Sequence, residues 1–198
     1  MVRPSPLDPR KSPKQARSAA TVEIILEAAA RILESKGLPG YTTNAVAEKA
    51  GVSVGSLYQY FPGKDALTGA LIRRETSVLM EEAEEAARDA SGENALKRMI
   101  AAAVAHQLRR PALARILDFE EARWPDVQDI RRVKEKLMAL LAEVLAMPDL
   151  PPQADREVAA ADVLAMVRGM IDAAGEREEV ERDDLERRVR RAVFGYLK

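Results

Sequence analysis

An all-α fold is predicted for this chain of 198 residues by three observations. Its 10 glycines are scattered among many Ala, Leu, Glu and Arg, only 4% of its residues are aromatic, and its apolar side chains recur at helical spacing. The first two disfavour the β-branched and aromatic strands of a sandwich or barrel. The third is the mark of amphipathic helices. With 47% hydrophobic and 32% charged residues the composition is that of one or two globular domains. No cysteine is present, which excludes a thiol nucleophile, a disulfide scaffold and a thiolate metal site. No apolar run approaches the ~20 residues of a bilayer span, and Met1 to Arg17 has no apolar signal core, so a cytoplasmic location without membrane contact is expected.

Charge divides the chain. Through residue 74 there are eleven Lys/Arg against six Asp/Glu, and beyond it twenty against twenty-six, within a net charge of -1. Attraction to phosphate is local and screened beyond ~10 Å, so near-neutrality overall leaves nucleic-acid binding by the basic front open.

Residues 1–17 hold four prolines and five cations with almost no large apolar side chains, which predicts a flexible basic arm. From Ser18 the residues Val22, Ile25, Leu26, Ala29, Ile32 and Leu33 form one apolar stripe, which Gly37 and Pro39 terminate. Two short helices follow, Thr43 to Ala50 and Val54 to Phe61, separated by Gly51-Val52-Ser53 and closed by Pro62-Gly63. Neither is long enough to be stable alone. A long helix from Lys64 to about Ala90 carries Ala66, Leu67, Ala70, Leu71, Val78 and Leu79 on one side, and Ser91-Gly92 breaks it. Further helices are expected at about 93–109, 112–123, 126–146, 154–174 and 182–197, punctuated by Pro111, Pro125, Pro148 and Pro151-Pro152.

The segment from Thr42 to Lys64 reads as a helix-turn-helix. Gly51 supplies the positive φ of the turn and Ser53 an N-cap. Val46, Ala47, Leu57 and Phe61 face inward, which leaves Val54, Gly55, Ser56, Tyr58, Gln59 and Tyr60 outward. Small side chains at 54–56 permit close approach to base edges. The Gln59 amide can pair bidentately with a base, adenine being its usual partner, and the Tyr58 and Tyr60 hydroxyls suit phosphates. Lys64 opens the next helix, where free amides also favour an anion. The alternative is that the two short helices simply pack and the tyrosines fill a half-buried edge.

This segment resembles the DNA-binding domain of the TetR family of bacterial transcriptional regulators. The resemblance covers residues 17–70 and rests on Gly37, Thr42, Val46-Ala47, Ala50-Gly51-Val52-Ser53, Gly55, Leu57-Tyr58, Tyr60-Phe61, Lys64-Asp65 and Leu67, with Ile25, Ala28 and Ala29 ahead of them. Leu38 departs from the family, which usually has an aromatic residue there. The resemblance implies an N-terminal three-helix DNA-binding domain over 18–66 and a C-terminal helical domain over 67–198 for effector binding and dimerisation. By the same resemblance Thr42, Thr43, Tyr58, Tyr60 and Lys64 hold the DNA backbone, Asn44, Val54, Gly55, Ser56 and Gln59 reach base edges, and Ser53 stands with them as the cap. Arms such as Arg3, Arg10, Lys11, Lys14 and Arg17 can enter a minor groove or remain solvated tails.

For the back half, the segment 154–174 is apolar almost all round and the last helix carries one stripe. Val163, Val167, Ile171, Leu185, Val189, Val193 and Tyr196 are therefore expected at a four-helix interface between two copies, an ordinary monomeric core being the alternative. His106, the single histidine, sits on an Ala-rich helix. With Met99, Ala103, Phe119, Trp124, Met138 and Met170 it is a candidate for lining an effector pocket, the alternative again being plain core. With one His, no phosphate loop and no metal spacing, no catalytic constellation is visible, and neither cofactor nor metal is expected. The expected function is a ligand-responsive homodimeric repressor on a palindromic duplex operator, released by a small-molecule effector. An activator or an architectural DNA-binding protein is the alternative.

Overall fold

The computed structural model describes residues 16–123 and 128–198. Among them the secondary structure is helical, with no strand: α1 Ala16–Gly40, α2 Thr43–Ala50, α3 Val54–Tyr60, α4 Lys64–Ala87, α5 Gly92–Arg109, α6 Pro111–Glu121, α7 Gln128–Leu145, α8 Arg156–Glu176 and α9 Arg182–Tyr196. Helix α1 breaks where the sequence predicts, at Gly37, whose φ of 60° and ψ of -167° suit glycine alone. A last turn then runs on to Gly40. The expected arm is shortened at its inner end, because Ala16 and Arg17 already belong to α1.

The described chain forms two compact units. The first comprises α1 to α3, the part of α4 through Glu75, and α6. Its core joins Ile25 and Leu33 of α1, Val46 of α2, Leu57 of α3, Phe61 just after it, and Leu67 and Leu71 of α4. Leu113 and Leu117 of α6 complete that core. The first unit therefore extends past residue 66 and recruits a helix from much later in the chain. Leu67 and Leu71 are too deeply buried, and α6 too apolar at 113 and 117, to stand apart from it.

The second unit contains the rest of α4 with α5, α7, α8 and α9. Leu96, Ile100 and Val104 of α5 pack with Leu141, Val144 and Leu145 of α7. The same core takes in Val163, Val167 and Ile171 of α8 and Leu185, Val189 and Val193 of α9. Those last six side chains correct the expected interface: they are buried within their own chain and present nothing to a second copy. Helix α8 is apolar on both sides, and periodicity did not distinguish the side that faces the core. Its outer face carries Val158, Ala161, Ala165 and Gly169, and Tyr196 is exposed on α9.

A carboxylate from elsewhere in the chain fastens the start of α5. Asp149 accepts hydrogen bonds from Ser91 Oγ at 2.7 Å, Gly92 N at 2.9 Å and Glu93 N at 3.2 Å. The Ser91 hydroxyl in turn accepts from Asn94 N. Gly92 is required here, since a Cβ would lie 2.8 Å from Met147 Cβ. The Ser91 hydroxyl, followed by the two amides, holds the Asp149 carboxyl down to about 2 against an ordinary 3.8.

Two expectations follow for stability. Gly51 has φ 68° and open space for 4 Å around the point where a Cβ would stand, so Gly51→Ala incurs only the left-handed backbone cost, about 1 kcal/mol in urea unfolding, and Gly51→Asn less. Because the Asp149 pKa is depressed in the folded state, its contribution is present above pH 3.8 and is lost as pH falls toward 2. Asp149→Asn is expected to lower Tm at neutral pH and to flatten the Tm profile across that acid window.

Candidate nucleic-acid interface

The helix-turn-helix is built by local hydrogen bonding before any packing is considered. Thr42 caps α2, its Oγ1 accepting from Ala45 N at 3.1 Å. Gly51, left-handed, ends α2 by donating its N–H to the carbonyls of Ala47 and Glu48, and Val52 N donates to Ala47 O at 3.0 Å. Two residues later Ser53 caps α3, accepting from Ser56 N at 3.0 Å. The turn from α2 to α3 thus takes three residues, Gly51 to Ser53, with capping bonds on both sides of it.

Packing then fixes which face looks outward. Leu57 and Phe61, four residues apart, are sealed in the core with Val46 and Ala47. Val54, Gly55, Tyr58 and Gln59 are consequently exposed, Val54 at 38% and Tyr58 at 40% although both are largely apolar. Thr42, Asn44, Ser53 and Lys64 are exposed beside them, while Thr43, Ser56 and Tyr60 are half-buried.

The tyrosine hydroxyls make bonds within the chain that sequence reasoning missed. Tyr58 Oη lies 3.2 Å from Thr43 Oγ1, and Tyr60 Oη lies 3.0 Å from Ser18 Oγ. These bonds tie α3 to the start of α2 and to the start of α1. A hydroxyl both donates and accepts, so each keeps capacity for a further partner. Ser53 and Ser56 share a bond at 2.8 Å. Lys64 Nζ stands 5.2 Å from the centre of the Tyr41 ring, within cation–π range. Tyr41 is buried, and its hydroxyl accepts from Thr68 Oγ1 at 3.3 Å. Burial, only partly offset by that bond, pushes its phenol far above the ordinary range, so the ring under Lys64 stays neutral. In the same unit Glu27 pairs with Arg31 at 2.8 Å and with Arg74 at 3.5 Å, and Glu75 with Arg74 at 2.6 Å.

The residues expected to line an effector pocket are not brought together. An apolar cavity of about 40 Å³ lies in the second unit, and Met99 and Ala103 line it with Leu79, Leu96, Leu137 and Leu141. His106, Met138 and Met170 are half-buried outside that lining. Phe119 is 62% exposed and belongs to the first unit, because Leu113 and Leu117 turn the opposite side of α6 inward. Trp124 lies outside the described residues. The leucines of the lining were missed because helical spacing marks a core position and a cavity wall alike.

Two family models account for most of the chain. The model described as bacterial regulatory proteins, tetR family, matches residues 25–71. The model described as Tetracyclin repressor-like, C-terminal domain, matches residues 93–197, more than half of the sequence. The chain belongs to the TetR family. It is a DNA-binding transcriptional regulator with the family's helix-turn-helix. Among curated relatives, the nucleoid occlusion factor SlmA of Vibrio campbellii (strain ATCC BAA-1116) is 30% identical over 158 residues, covering 75% of this chain and 81% of that protein. SlmA of Glaesserella parasuis serovar 5 (strain SH0165) is 30% identical over 109 residues, 55% of this chain, which spans only 52% of that relative's length.

Solved structures agree on the fold. The fatty acid degradation regulator FadR from Bacillus halodurans superposes with a TM-score of 0.78 at 17% identity, covering 94% of this chain and 99% of that one. FadR from Bacillus subtilis in complex with stearoyl-CoA gives a TM-score of 0.74 at 16% identity, covering 89% and 99%. Among the described residues of this TetR-family regulator no helix is long and apolar enough to cross a membrane.

The brace between α3 and α1 can be measured. A double-mutant cycle of Ser18→Ala and Tyr60→Phe is expected to give a coupling energy of about 0.5–1.5 kcal/mol in urea unfolding, and additivity would show that the bond contributes nothing.

Proposed function

We propose that this TetR-family regulator is a homodimeric repressor that sets its two α3 helices into successive major grooves of a palindromic operator and is released by a small-molecule effector. The observation that carries the reading is the outward face of α3, where Val54, Gly55, Tyr58 and Gln59 are exposed while Leu57 and Phe61 are buried. In this reading Asn44, Val54, Gly55, Ser56 and Gln59 approach base edges. Thr42, Thr43, Tyr58, Tyr60 and Lys64 hold the phosphates, and Ser53 stands with them as the cap of α3.

Pairing of two copies is assigned to the outer faces of α8 and α9. Val158, Ala161, Ala165 and Gly169 are exposed at three- and four-residue spacing on α8, and Gly195 and Tyr196 are exposed on α9. Small side chains permit close helix contact across a two-fold axis, and grooves read by such a pair lie ~34–36 Å apart. The location assigned is the cytoplasm, where the operator is, and the chain acts without catalysis.

The effector is assigned to the cavity bordered by Met99 and Ala103. At about 40 Å³ it falls below the ~300 Å³ at which ligand sites begin, so binding selects a more open arrangement of the second unit. Its wholly apolar lining supports an effector with a hydrocarbon portion, in keeping with the stearoyl-CoA bound by the FadR neighbour. A preference of about 4 kcal/mol for the open arrangement shifts operator occupancy ~1,000-fold. The SlmA likeness favours a second reading, a DNA-bound factor that acts on nucleoid occlusion rather than on promoters.

Site selection from random duplexes followed by a screen of acyl compounds for release tests the main reading. A palindromic winner freed by one class of compound supports it, and binding without sequence preference overturns it. In salt-titrated shift assays Lys64→Ala is expected to weaken binding to all duplexes and to make the salt slope shallower by about 0.9 per protein copy. Gln59→Ala should chiefly relax base choice, with about 1–3 kcal/mol of discrimination lost. Equal behaviour of the two variants contradicts this division of roles.

A further inference from the structure

Of the cations expected at the duplex, those of the arm through Lys14 lie outside the described residues, whereas Lys64 is described and exposed. Lys64 forms no ion pair among the described residues. An aromatic face lies beside it instead: Nζ stands 5.2 Å from the centre of the Tyr41 ring, which is 1% exposed and cannot swing away. Tyr41 joins the end of α1 to α2. Its N–H donates to Leu38 O at 3.2 Å, and the next residue, Thr42, caps α2.

Thr68, one turn further along α4 and also buried, ties the two residues together. Its Oγ1 lies 3.3 Å from the Tyr41 hydroxyl and 3.0 Å from the Lys64 carbonyl. The backbone of Lys64 and the ring beside its ammonium are thereby set against each other through one hydroxyl. Only the flexible stem between them is left to be ordered. A carboxylate partner would order that stem too, but it would cancel the charge that a phosphate needs. A neutral ring orders it and leaves the charge whole, and burial keeps the Tyr41 phenol protonated.

We propose that Tyr41 is a positioning residue for DNA binding: its ring face holds the Lys64 ammonium in place before the duplex arrives, so that phosphate meets a cation whose freedom is already reduced. This rests on the reading of Lys64 as a phosphate contact and adds to it a buried residue that does not itself reach DNA.

The full chain is compared on its selected operator with Tyr41→Leu, with Tyr41→Phe and with pentafluorophenylalanine at position 41, each alone and together with Lys64→Ala. Phenylalanine keeps the ring and its negative face, whereas fluorination keeps the shape and reverses the face. Tyr41→Phe is expected to bind as the unaltered chain does. The leucine and fluorinated chains are expected to lose about 2- to 10-fold in affinity for each protein copy, with base preference unchanged, and to lose nothing further once Lys64 is replaced. In proton NMR of the free protein the ring is expected to shield the Lys64 ε-methylene, moving it upfield of those of the other lysines. Tyr41→Phe keeps that shift and Tyr41→Leu abolishes it. The shift is read on the unaltered chain, so the proposal can fail even where a variant does not fold. Unchanged affinity of either the leucine or the fluorinated chain, folded by its helical circular dichroism, overturns the proposal and leaves the phosphate role of Lys64 intact. An equal loss in the Lys64→Ala background, or an unshifted Lys64 methylene, does the same. Lys64→Ala without effect on affinity or salt slope overturns both.

Discussion

A seven-residue helix has no stability of its own in water, because nucleating a turn costs more than so few hydrogen bonds return. Helix α3 persists because Leu57 and Phe61 are sealed beneath it and because Ser53 and Gly51 satisfy the helix ends at its entry. That one constraint sorts the rest of its residues. Once two side chains four apart are committed inward, Val54, Gly55, Tyr58 and Gln59 have only solvent or a partner to face. The hydroxyl bonds of Tyr58 and Tyr60 to Thr43 and Ser18 then fix the face in rotation as well as in depth. A fixed, exposed face is thus obtained from a segment too short to form one by itself.

The second unit solves a different problem. Its α8 is rich in small and apolar residues on all sides, so it serves a core on one flank and leaves Ala161, Ala165 and Gly169 on the other. The Asp149 carboxylate, held ionised by a hydroxyl and two amides, fastens the start of α5 to the loop after α7. Gly92 permits that approach. The cavity lies between elements fastened in this way and is lined by groups that make no directional bonds, so its walls can shift without breaking a hydrogen bond.

Most helices were legible because glycine and proline punctuate an apolar period. Gly37, Gly51 and Pro62-Gly63 mark ends within a few residues of those observed, and Thr42, Ser53 and Ser91 stand at N-caps. The outward face of α3 was legible for the same reason, since Leu57 and Phe61 leave no other register. Pairings distant in sequence were not. Nothing local ties Asp149 to Gly92, or α6 to α1. Helix α8 carries apolar residues on both flanks, so the side meeting the core was decided by neighbours rather than by its own pattern. Phe119 was readable in principle: residues 113, 117 and 120 set one buried stripe on α6, and 119 falls off it.

Leu113 and Leu117 close the core of the unit that carries α3, yet they follow Glu75 by some forty residues. A nascent chain elongating at 5–20 residues per second completes that core roughly two to eight seconds after Glu75 has been added. Until then the sockets for those two leucines stay open, and the first unit, the head that carries α3, cannot be complete before synthesis has passed Leu117. The same interval in sequence means that the head is not a transplantable cassette: grafting residues 16–75 onto another regulator would leave its plug behind.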